Sequence, residues 1–133
     1  MRQPELSSFL LKLAATLRPQ LADYPERIAS RVADRVHLIE LTTVTHFFAR
    51  DKLTYAVADG RHYSVDYSIA ELERKLDPKK FVRIHRAALL NLDWVAEVDW
   101  RFGRVVASLK DAQQTKLTVA RDRVHALKER LDL

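Results

Sequence analysis

The chain has 133 residues, 47% of them hydrophobic, with no cysteine and a net charge of +5. That length suits one domain with a short extension rather than two separate cores, and the lack of thiols excludes disulfides, thiolate metal sites and cysteine nucleophiles. Residues 1–78 hold 11 Lys/Arg against 11 Asp/Glu, and residues 79–133 hold 12 against 7, so the whole excess lies in the second part. A localised cationic excess favours a polyanionic partner, nucleic acid first, because each neutralised phosphate releases counterions.

The first apolar run, "FLLKLAATL", is broken by Lys12 and followed by Arg18 and Pro19. It falls short of the roughly 20 residues a membrane-spanning helix needs and lacks the pattern of a secretory signal, so a soluble, cytoplasmic chain with no membrane partner is expected. Ser7 or Ser8 as an N-cap, with Phe9, Leu13 and Leu17 at four-residue spacing, predicts a helix over about 6–17. Pro19 and Pro25 divide the segment, and a shorter second helix is expected before Arg35. Residues 1–35 thus read as a helical extension or linker packed on the domain; the alternative is a dimer contact, making a homodimer.

After Arg35 the pattern changes to short runs rich in Val, Thr and aromatics: "VHLIEL", "VTHFFA", then "LTYAVADGRHYSVDY". Asp59-Gly60 sits between two alternating segments and predicts a tight hairpin, with Leu53, Tyr55 and Val57 sharing a side. Ser68-Ile69-Ala70-Glu71 matches a capping box, Ile69, Leu72 and Leu76 supply an apolar stripe, and Asp77-Pro78 ends that helix. "FVRIH", "AALLN", "VAEVDW", "RVVASL" and "TKLTV" follow as strands, with turns at Phe102-Gly103 and "KDAQQT". From about Asp122, Val124, Leu127 and Leu131 return to helical spacing. The fold class is therefore mainly β with short helices (α+β), spanning residues 36–133.

Hydrolase and transferase signatures are missing: there is no G-x-S-x-G, no G-x-x-x-x-G-K and no H-E-x-x-H, and only two glycines occur. His37, His46, His62, His85 and His125 are scattered singly, without metal-site spacing, so neither a metal nor a cofactor is expected. His85 lies between Arg83 and Arg86 with no carboxylate nearby in sequence, which makes it a poor general base; a half-buried histidine bonded to a neighbouring strand is the simpler reading. If 81–85 is extended, Phe81, Arg83 and His85 share one face and Val82 and Ile84 the other, so the two aliphatics go inward and Arg83 and His85 outward, leaving Arg86 at a loop start. Asn91 reads as a turn cap.

The stretch "FVRIHRAALLNLDWVAEV" resembles the central signature of the LytTR family of bacterial transcription-regulator DNA-binding domains: Phe, x, Arg, an aliphatic, His, Arg, a small residue, then an aliphatic pair and Asn. The resemblance continues through "VTHFFARDKLTYAVADGRHYSVDYSIAELERKL" and "LTVARDRVHALKERL", covering about residues 36–131. It implies small antiparallel sheets stacked around a short helix, with loops rather than a recognition helix reaching two successive major grooves. It places base-contacting residues at Lys52, Arg86 and Arg121, and proximity adds Arg50, Arg83, His85 and Arg123 on the phosphate side. An arginine fork takes guanine O6 and N7 together, while a lysine acts as a mobile point charge. The family usually has Ser where Ala120 stands, which removes a cap from the last helix. An N-terminal receiver or membrane sensor, the family's typical companion, has no counterpart in the first 35 residues.

The expected function is sequence-specific binding of double-stranded DNA at bipartite or repeated sites by a transcription regulator, with no enzymatic step. One alternative is a basic protein interaction module whose N-terminal helices form a dimer contact. Another is catalysis on an anionic substrate through His85, which requires a deep pocket around that ring.

Overall fold

Short β-rich runs joined by two-residue turns satisfy their backbone groups most cheaply by local antiparallel pairing. The computed structural model describes residues 24–133, so the helix expected over 6–17 lies outside the described residues. The central sheet comprises β3 (Val44–Arg50), β4 (Leu53–Ala58), β5 (Arg61–Val65), β6 (Phe81–His85) and β7 (Ala88–Asn91), in the order β5-β4-β3-β7-β6. A separate hairpin pairs β1 (Arg27–Val32) with β2 (Arg35–Glu40). β8 (Val95–Arg101), β9 (Arg104–Leu109) and β10 (Lys116–Val119) form a second sheet with β9 in the middle. The short helix α1 (Ile69–Lys75) connects β5 to β6, and α2 (Val124–Leu131) follows β10.

The central sheet is covered on both faces. On one, Phe47, Ala56, Phe81 and Leu89 pack with Ile69, Leu72 and Leu76 from and beside α1 and with Ile28 and Ile39 from the β1–β2 hairpin. On the other, Val82, Ile84 and Leu90 pack against Val105, Ala107 and Leu109 of β9, Val119 of β10 and Leu127 of α2. A strand buried on both sides reads as a near-continuous apolar run, which is why β6 and β7 look as they do.

Three expectations meet the structure here. The capping box forms: the Glu71 N–H donates to Ser68 Oγ at 3.1 Å, and the Ser68 N–H donates to the Glu71 carboxylate at 2.9 Å. That second bond is the main reason the Glu71 carboxyl is held below its ordinary pKa. The Asp59-Gly60 hairpin also forms, pairing Ala58 with Arg61; Thr54, Ala56, Val57 and Ala58 are buried, Tyr55 is half-buried and Leu53 is exposed. Among the described residues, the second N-terminal helix does not form. Residues 27–32 are strand β1, with Ile28 and Ser30 buried and paired to Ile39 and His37. Alternating burial and cross-strand pairing override the helix propensity of an Ala- and Arg-rich segment.

The expected faces of β6 need a further correction. The face that Phe81 shares with Arg83 is not open to solvent: Phe81 is buried, because α1 covers that face. The β6–β7 register shifts between Arg83 and His85, so Arg83 pairs with Leu89 and His85 with Ala88. Leu89 and Ala88 are consecutive and point to opposite faces of the sheet, so the irregularity separates Arg83 from His85 instead of aligning them. No described helix is long and apolar enough to cross a membrane.

Candidate nucleic-acid interface

Sheet order brings three loops to one end of the molecule. The turn between β3 and β4 is Asp51-Lys52, closed by the Arg50–Leu53 pair. The turn between β6 and β7 is Arg86-Ala87, and the Ala49 N–H donates to the Ala87 carbonyl at 2.9 Å, so this turn lies beside the end of β3. The third segment follows β10: the Ala120 N–H donates to the Ile84 carbonyl at 2.8 Å, which seats Arg121 beside the end of β6. Lys52, Arg86 and Arg121 therefore emerge from adjacent loops at one end of the central sheet. All three are exposed, and none forms an ion pair among the described residues.

The first turn carries an unusual feature. Asp51 and Lys52 both have positive φ, 53° and 68°, as a two-residue hairpin with matching twist requires. At the β4–β5 and β8–β9 turns the second such position is glycine, Gly60 and Gly103. Lysine at Lys52 accepts the left-handed conformation at a steric cost that glycine avoids.

The other proposed phosphate-side residues divide. Arg50 is exposed at the end of β3 with its guanidinium 5.4 Å from the Phe48 ring centroid, and His85 is exposed with Nδ1 accepting from the Ala87 N–H at 3.1 Å. That bond leaves Nε2 as the ring nitrogen available to a ligand. Arg83, expected to point outward, turns onto the protein. Its Nη1 donates to Glu73 at 3.2 Å, Nη2 to the Arg86 carbonyl at 2.7 Å and Nε to the His85 carbonyl at 3.3 Å, and its side chain is only 17% exposed. Arg123 is partly buried, with Nη1 3.9 Å from the second Glu73 oxygen. Sequence reasoning missed Glu73. It stands on α1, remote in sequence from Arg123, and no local motif marks it.

Asn91 is 2% exposed and caps the turn after β7, as expected: its side chain accepts from the Asp93 N–H at 3.0 Å and donates to the Val44 carbonyl at 2.8 Å. His46 is buried beside Thr45, and burial drives its pKa down to about 4. It lines a cleft with Phe48, His62 and Asp111. Among the described residues, no group of three or more His, Asp or Glu is placed to hold a metal ion.

The structure defines a class: stacked antiparallel sheets that present cationic loops from one end. The chain belongs to the LytTr DNA-binding domain family, which it matches over residues 34–132. It is 33% identical over 97 residues to the heme-containing CO-sensing transcriptional regulator RcoM 2 of Paraburkholderia xenovorans, covering 73% of this chain and 36% of that protein. It is 25% identical over 142 residues to the transcriptional regulatory protein YpdB of Escherichia coli K12, covering 99% of this chain and 58% of that protein. The fold matches a LytTr DNA-binding domain from Bacillus cereus with a TM-score of 0.74 at 19% identity, covering 82% of this chain and 99% of that one.

Proposed function

We propose that the chain is the DNA-reading part of a transcription regulator, and that Lys52, Arg86 and Arg121 contact base edges in the major groove while Arg50 and His85 contact the backbone. The observation that carries this reading is the convergence, on one end of the central sheet, of three exposed cations from three loops, none with an ion-pair partner among the described residues. Free cations keep their full attraction for phosphate and base acceptors, whereas a cation paired within the protein must first give up its partner. The family and the regulators named above support DNA as the partner, and the resemblance of the central motif supports the base-reading assignment. The three loops suit a bipartite site, with Lys52 at one flank of the contact surface and Arg121 at the other.

Selection of bound sequences from a random duplex pool tests the proposal. The expected result is a defined bipartite consensus whose binding weakens steeply with log salt, while Arg121→Ala loses about 1–3 kcal/mol on that consensus. Recovery of no consensus would overturn base reading.

A further inference from the structure

Arg86 and Arg121 stand on different loops, and reading one site requires their spacing to be held. Glu73 on α1 links to both. Its Oε1 accepts from Arg83 Nη1 at 3.2 Å, and its Oε2 lies 3.9 Å from Arg123 Nη1. Through its other nitrogens Arg83 holds the carbonyls of His85 and Arg86, the backbone that carries Arg86. Arg123 belongs to the same short 3-10 turn as Arg121, and its N–H donates to the Ala120 carbonyl at 2.9 Å. One carboxylate thus hydrogen-bonds one guanidinium group and lies within ion-pair distance of a second, each anchored in a different reading loop.

We propose that Glu73 is a positioning residue that fixes Arg86 and Arg121 relative to each other, an inference that rests on the base-reading role proposed for those two arginines. Electrostatics alone runs the opposite way. A carboxylate beside a cationic face repels phosphate, and removing it should tighten binding to any duplex. The carboxylate also occupies two guanidinium groups that phosphates would otherwise compete for, which keeps Arg83 on the loop carbonyls. Glu73 is 42% exposed, so its pairing with the nearly buried Arg83 contributes through geometry more than through charge.

The test compares Glu73→Ala with the wild type on two duplexes: the sequence the wild type selects from a random pool, and a random duplex of equal length. Affinity for the selected duplex is expected to fall about tenfold, the size typical of coupling between neighbouring groups. Affinity for the random duplex should hold or rise, and preference should relax at the positions read by both Arg86 and Arg121. Equal or tighter binding of Glu73→Ala to both duplexes would overturn the inference while leaving base reading intact. A wild type that selects no sequence overturns base reading and this inference with it. If Glu73→Ala does not fold, Arg123→Gln cuts one arm only, and it must relax preference at the Arg121 position alone. Full preference retained by that variant overturns the link.

Discussion

Lys52 shows how a single residue can hold a strained backbone at a turn. At φ 68° it occupies a conformation that costs an L side chain about 1–2 kcal/mol, while the equivalent positions of two other hairpins use glycine. Lys52→Gly is expected to raise unfolding free energy by about 0.5–1 kcal/mol, after the entropy lost by a glycine in the unfolded chain is counted. The same variant should weaken duplex binding. Denaturant melts and a titration with duplex check both signs, and a variant that is less stable removes the strain account. Among the described residues, His46 carries a clear pH dependence. Its ordinary pKa is 6.5, and burial lowers it to about 4, with Asp111 opposing the shift and His62 adding to it. Between those values the unfolded state holds the extra proton, so stability is complete above about pH 6.5 and falls as pH drops toward 4, by about 3 kcal/mol in all. Urea melts from pH 7 to 4.5 should show this slope in the wild type, and it should be much reduced in His46→Gln.

At the scale of elements, the helix after β10 starts without help. Ala120 has φ −63° and ψ 145°, the extended geometry of an N-cap, yet offers no side-chain acceptor, and Arg123 ahead of α2 offers none either. Ala120→Ser supplies the missing oxygen and should stabilise the domain by about 0.5–1 kcal/mol in thermal or urea melts. No gain would mean that the bond from Ala120 to Ile84 already fixes the turn. Elements with local signals were legible in the sequence: the Ser68–Glu71 capping box, the Asp59-Gly60 turn and the Asn91 cap depend on residues within four positions of each other. β1 was not, because what makes 27–32 a strand is its pairing with β2 and the burial of Ile28 and Ser30, both tertiary. The inward turn of Arg83 was hidden for the same reason. It depends on α1, which covers the face that Arg83 shares with Phe81 and supplies the Glu73 carboxylate, and neither is local to "FVRIH".

At the scale of the whole molecule, a sheet packed between two cores brings three loops to one end. The positions of Arg86 and Arg121 in this arrangement follow from hydrogen bonds that cross between elements: Ala49 to Ala87, Ala120 to Ile84 and Arg83 to the Arg86 carbonyl. The motif in "FVRIHRAALLN" indicated Arg86 by its place after the strand, but only the packed fold shows which other cations stand beside it. The chain spans 36% and 58% of the two regulators compared above. The most direct test of base reading is a single-base substitution scan of the selected duplex, measured for the wild type and for Lys52→Ala, Arg86→Ala and Arg121→Ala. Each variant should lose preference at its own base position, with about 1–3 kcal/mol lost on the selected duplex and a smaller loss on random duplex. Equal losses on selected and random duplex for all three variants would contradict base reading and leave these residues as backbone contacts.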